Sequence, residues 1–278
     1  MSLTVFFAVL GAALLHASWN GIIKFGESKV SAMLIMTLFQ GGFGLCIAMT
    51  QAMPNAPLWP WLAASGVFHA AYKVFLTFAY EHGDLSRVYP IARGSAPVVV
   101  LAFSALFLAD ELGSSEIVGI LILGLGITMM SRGALLSGES RKLVHLALGS
   151  AVATAGYSIV DGMGARVGGN AVQFVAWLFV LDALMFSPVL LMLRGTKVLV
   201  APRRAWMLGA LAAAGSYGAY AIAVWAMTVA PIALVAALRE TSILFAVLIG
   251  WILFGEPMDR LKATAAAAIA TGVAVTRF

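Results

Sequence analysis

The sequence predicts an all-α integral membrane protein with ten transmembrane helices, arranged as two inverted five-helix repeats. Composition is the first reason. Hydrophobic residues make up 62% of the 278 and charged residues only 10%, and the mean hydropathy is +0.99. A soluble domain carries about 25% charged residues, so this chain has too little polar surface to face water and its solvent is lipid. Segmentation is the second reason. A bilayer is crossed by about 20 mostly apolar residues. Ten stretches qualify, at roughly 3–23, 31–53, 58–80, 84–108, 114–132, 143–163, 170–193, 204–229, 232–254 and 260–277. The third reason is an internal repeat, described below.

The breaks between stretches carry turn or charge signals, among them "KFGESK", "MPNAP", "EHGD", "GARVGGN" and "FGEPMDR". None is long enough for a soluble domain. No Lys or Arg precedes the first stretch, so it is expected to stay as a helix and not to act as a cleaved signal. Net charge is +5 and the pI is near 9.6. The basic residues fall in short loops and form no single stripe, which speaks against a nucleic-acid partner. The single Cys46 excludes an internal disulfide and a multi-cysteine metal site. It reads as a packing residue.

"RGSAPVVVLAFSALFLADE" (Arg93 to Glu111) parallels "RETSILFAVLIGWILFGE" (Arg239 to Glu256). Each begins with Arg, passes a Ser/Thr patch, runs through an apolar helix and stops at Glu. Each is followed by one more apolar helix. The repeats are placed at 1–135 and 140–278. An odd number of helices per repeat turns the second copy upside down. Inverted repeats are a recurrent plan of secondary transporters, whose site lies at the midplane between the halves.

With these residues in view, the chain resembles the drug/metabolite transporter superfamily, EamA-type. The "LFLADE" and "ILFGE" ends, the Gly-rich helices after them, "HASWNGIIK" and "YPIARGSAP" carry the resemblance, which spans essentially the whole chain. It implies a transporter of metabolites; the superfamily includes exporters of amino acids and sugar-phosphate exchangers. The chain departs from the common pattern in lacking basic residues at the extreme N-terminus and between helices two and three. Its basic residues concentrate in odd-numbered loops, including Lys29, Arg87, Arg141, Lys142, Arg203, Arg204 and Arg260, whereas even loops and termini hold only Arg166 and Arg277. The positive-inside rule then sets the odd loops in the cytoplasm and both termini outside.

A charge at a helix centre costs about 2.5–3.5 kcal/mol on insertion scales, so intramembrane ions face a cavity or a partner. Lys73 is the sharpest case: it lies deep in the third stretch, with His69 and Thr77 on its face and Tyr72 at the border. It either lines the cavity or pairs with a carboxylate, and Asp182 is a plausible partner. Arg93, flanked by Pro90 and Pro97 and one turn after Tyr89, is favoured as a substrate contact; Arg239 and Glu240 hold the matching place in the ninth stretch. Adjacent residues project about 100° apart, so Arg239 and Glu240 need not pair with each other; if Glu240 does neutralise Arg239, Lys73 and Arg93 remain as surplus positive charge. His16, Trp19 and Asn20 share a face of the first helix. Tyr157, Asp161, Tyr217 and Tyr220 add polar groups from helices six and eight. Asp161, Asp182 and Glu240 are the candidate proton carriers. Glu111 and Glu256 are expected to bond backbone donors around their loops. Gly124/Gly126, Gly164/Gly168 and Gly215/Gly218 mark helix contacts.

No "GxxxxGK[ST]", "HExxH" or nucleophile elbow occurs, and the four His are scattered. An enzyme is therefore not expected, nor a catalytic residue, metal or cofactor. The expected function is secondary transport of a small polar metabolite with an anionic group, an amino acid-like zwitterion or organic acid, by an exporter or exchanger. The protein is expected to act as a monomer in a bacterial inner membrane. The alternatives are a cationic drug or polyamine exporter and a lipid-linked group flippase.

Overall fold

The computed structural model describes the chain except residues 25–27, 81, 83–92, 94–95, 109, 137–139 and 256, together with the side chains at 23–24, 80 and 131–136 and at 253–254. Tyr89, Pro90, Arg87 and Glu256 of the sequence expectations lie outside the described residues. Eleven α-helices are described: α1 Leu3–Lys24, α2 Lys29–Ala48, α3 Trp59–Tyr80, α4 Ala96–Phe107, α5 Ser114–Leu136, α6 Arg141–Gly168, α7 Ala171–Arg194, α8 Arg203–Val229, α9 Ile232–Arg239, α10 Ser242–Phe254 and α11 Arg260–Val275. Among the described residues there is no β-strand.

Helices α9 and α10 together make one apolar span, so the eleven helices amount to ten crossings. Seven spans are long and apolar enough to cross a bilayer outright, and α4 and α5 are shorter apolar helices. Outward-facing Phe7, Leu45, Val67, Leu106, Leu184, Met192 and Trp251 are exposed, as lipid contact requires, because hydrocarbon is the preferred neighbour of such side chains.

Local signals set the helix ends. The side chains of Ser28, Ser140, Asn170 and Asp259 accept backbone N–H bonds from Ser31, Leu143, Gln173 and Lys262, satisfying donors that a first helical turn leaves open. Between α6 and α7 the chain reverses in two residues. Gly169, at φ +67°, ends α6 in the left-handed region, and Asn170 caps α7 at once.

The two halves pack through each other. Helix α3 lies on α6, α1 on α8, α2 on α7 and α5 on α11. Exchanging each span for the one five places later turns α3–α6 into α8–α1 and returns α2–α7 and α5–α11 to themselves. This is the contact pattern of an inverted repeat with a two-fold axis in the membrane plane. Small residues allow the close approaches. A Cβ on Gly272 would sit 2.7 Å from Leu123 N and 2.8 Å from Gly119 O, and one on Gly44 would sit 2.6 Å from Ala176 O. Gly126 and Gly164 are likewise pressed against Ile269 and Phe174, which places glycines singled out in the sequence at helix contacts.

The largest apolar cluster joins Val5, Phe6 and Val9 of α1 to Val100 and Leu101 of α4 and to residues Ile232 to Leu238 of α9. It lies towards the face that carries both termini, where Arg277 donates to the Met1 carbonyl (2.9 Å).

Candidate functional site

The ninth span, read in the sequence as one run from 232 to 254, is interrupted at Glu240–Thr241. The amides there fall back on the i−3 carbonyls of Ala237 and Leu238, a local tightening of the helix. The interruption lets Arg239 and Glu240 both reach the middle of the protein. A narrow cavity with room for about one water molecule lies beside them, lined by Ala12, Ala13, His16, Arg93, Ala219, Tyr220, Arg239, Glu240 and Ser242. Spans one, four, eight and nine thus form its walls. Spans three and six, expected there too, stand behind the wall through His69, Tyr157 and Asp161.

The charges pair across the repeats. Glu240 does not neutralise Arg239; its Oε1 accepts from Arg93 Nη1 (3.1 Å), because consecutive residues project about 100° apart around a helix axis. Arg93 also donates to the Tyr157 hydroxyl (3.3 Å) and, through Nη2, to His16 Nε2 (3.2 Å). A guanidinium has no acceptor, so His16 Nε2 accepts and its ring proton sits on Nδ1. Among the described residues Arg239 has no hydrogen-bonded or ion-paired partner. Its guanidinium carbon lies 4.9 Å from the Tyr220 ring centroid and 5.9 Å from that of Tyr157. Cation–π contact holds the charge in place and leaves its N–H groups for the cavity.

Behind Tyr220 sits a second polar cluster. The Tyr220 hydroxyl donates to Asp161 Oδ2, and His69 Nε2 donates to the same oxygen at 2.9 Å. Tyr157 stacks on His69, with centroids 4.2 Å apart, and Tyr72 meets both rings. His69 and Asp161 are 3% and 0% exposed.

Lys73 is away from the cavity lining. Its ammonium donates to Asp182 Oδ2, to Thr37 Oγ1 (2.8 Å) and to Gln40 Oε1 (3.4 Å). Gln40 in turn donates to Ser216 Oγ (2.9 Å). With Lys73 1% exposed and Asp182 0%, the pair joins α2, α3, α7 and α8 in a closed polar knot. The surplus of positive charge expected on Lys73 is therefore cancelled by Asp182, and the surplus cation of the cavity is Arg239.

The remaining predicted residues scatter. Trp19 packs edge-on against His16 (4.9 Å) and against Met36 and Ala212. Asn20 donates to the His16 carbonyl of its own helix (2.9 Å). The ring of Tyr217 lies 4.9 Å from that of Phe179. His69 is the functional candidate that was missing from the expected set; its position one turn before Lys73 was the available signal.

On the terminus-bearing face, Arg166 forms a latch. It grips Asp110 two-pronged, through Nη1 to Oδ1 (2.7 Å) and Nη2 to Oδ2 (3.2 Å), and also donates to the carbonyls of Met227 (2.8 Å) and Ala230 (2.9 Å). Asp110 Oδ2 accepts the Ile232 N–H at 2.8 Å, so the latch ties the first repeat to the entry of α9. Glu111, expected to bond backbone donors here, is exposed instead, and the carboxylates that do so are Asp110 and Glu116.

The model of the EamA-like transporter family matches residues 3–132 and again 141–278. A solved structure described only as "Crystal structure of protein" superposes with a TM-score of 0.78 at 18% identity, covering 99% of this chain and 98% of that chain. At that identity the likeness carries the fold alone. No curated protein matches the chain. The chain belongs to the EamA-like transporter family, and it is an integral membrane transporter of the drug/metabolite type.

Proposed function

We propose that this transporter carries a small polar metabolite with an anionic group, either an amino acid-like zwitterion or an organic acid, as a gradient-driven exporter or exchanger in a bacterial inner membrane. Arg239 is the observation that carries the reading. It lines the cavity, it rests on the faces of Tyr220 and Tyr157, and among the described residues it makes no ion pair. A planar guanidinium offers paired donors matched to carboxylate or phosphonate oxygens. Arg93 and His16 stand beside it, and Glu240 Oε2, buried with no hydrogen-bond partner, supplies an acceptor for the ammonium of a zwitterion. One chain contributes both repeats, so one copy completes the cavity and the protein acts as a monomer. No chemistry on the solute is required of these groups, which bind and release.

A cationic drug or polyamine would need Asp161 and Asp182 turned into the cavity. They are instead engaged by Tyr220 and His69 and by Lys73. Thermal stability of the purified protein across a metabolite panel tests the reading. Carboxylates or phosphonates should raise the melting temperature of the wild type and not of Arg239→Met. A shift produced only by cations would contradict it.

A further inference from the structure

We infer that the His69–Asp161 pair is a proton-binding site and that its proton travels in the same direction as the anionic solute. This deepens, and rests on, the reading of Arg239 as the anion site. The pair is sealed in the protein, and each member keeps one open atom: His69 Nδ1 and Asp161 Oδ1 are buried and have no hydrogen-bond partner among the described residues. With His69 Nε2 donating to Asp161 Oδ2, the pair without an added proton is a neutral imidazole beside a carboxylate, net −1. One proton, added at His69 Nδ1 or at Asp161 Oδ1, brings it to zero.

Tyr220 makes this charge felt in the cavity. Its hydroxyl donates to Asp161 while its ring lies under Arg239 and lines the cavity. The other groups facing the pair are the Tyr72 and Tyr157 rings. The Lys73–Asp182 pair, one turn along α3, is already neutral.

The charges can then be counted among the described residues. The cavity wall holds Arg93, Arg239 and Glu240, net +1. With the pair deprotonated the site is neutral when empty. With one proton and one monoanion bound it is neutral again. Binding either alone leaves a net charge of one in a sparsely hydrated interior, and charge there is costly. The two neutral states are the ones that can be closed off from water on both faces. A proton taken from the water of one side therefore leaves with the anion on the other. The same count gives the sign of the linkage: the proton strengthens anion binding, and the anion strengthens proton binding equally.

The test uses the full chain in sealed liposomes with a trapped pH indicator. L-glutamate and D-gluconate, both monoanions at neutral pH that do not cross lipid readily, serve as labelled probes. A transported monoanion should carry protons into the vesicle with it, and its affinity should fall up to tenfold per pH unit as the pair deprotonates. In Asp161→Asn, whose amide resembles the protonated acid, the pH slope should be flat whatever the absolute rate. Tyr220→Phe, which keeps the ring over Arg239, provides a second variant should Asp161→Asn not fold, and should weaken the slope. Net uptake of a probe into vesicles that hold no internal anion, with no proton entry, with protons moving the opposite way, or with an unchanged slope in both variants, overturns the inference and leaves the anion site standing. Absence of counterflow for every anionic probe overturns the anion reading and the inference with it.

Discussion

Arg239 and Tyr220 face each other across the cavity wall, guanidinium over ring at 4.9 Å, and the same tyrosine bonds Asp161 from its far end. One flat contact thus serves the solute cavity on one side and the buried carboxylate on the other. Arg239→Lys keeps the charge but removes the planar fork and the stacking surface. Solute affinity should fall about tenfold, close to 1.4 kcal/mol, as read by titration of the melting temperature. Unchanged affinity would show that the solute does not use the fork.

The Lys73–Asp182 pair should behave as a structural knot. Removing one partner leaves a buried charge uncompensated, at a cost of about 3–5 kcal/mol. Lys73→Met and Asp182→Leu should each lower the unfolding temperature markedly, whereas the double variant should recover most of the loss. If both singles are as stable as the wild type, the pair is not holding α2, α3, α7 and α8 together.

The Asp110–Arg166 latch should hold the terminus-bearing face shut. Asp110→Asn keeps the shape but breaks the charged fork. In a Cys46→Ser background, a reporter cysteine introduced as Ala96→Cys, now 3% exposed under the apolar cluster, should then react several-fold faster with a membrane-impermeant maleimide. In the repeat, Gly255 stands where Asp110 would. Equal labelling rates in the two backgrounds would remove the latch from the gating.

The helical plan was legible because lipid imposes it: each crossing must be long, apolar and internally hydrogen-bonded. The repeat was legible because Arg93 and Arg239 stand 18 and 17 residues before Glu111 and Glu256, a match with one gap. The pairings were less so. Lys73 and Asp182 are 109 residues apart and His69 and Asp161 are 92 apart. A single sequence gives the face a residue occupies but not which faces meet. The turn at Glu240 was hidden for a different reason: no Gly or Pro marks it within an otherwise apolar run, so nothing signalled that Glu240 would swing to Arg93. The latch was invisible because Asp110 and Arg166 read as ordinary loop charges.

Orientation can be checked by fusion. Arg277 and Met1 share a face with the latch, and the basic loops lie at the other ends of the helices. By the positive-inside rule, a phosphatase fused after Phe278 should be active and a fluorescent protein there dark. The reverse pattern would place the latch in the cytoplasm.

Solute counterflow by the purified protein in sealed liposomes, without ATP, addresses the central claim most directly. Vesicles loaded with an unlabelled carboxylate or phosphonate solute should take up the labelled form transiently against its gradient, and Arg239→Met should abolish the overshoot. Overshoot for cations alone, with no response to any carboxylate or phosphonate, would contradict the account.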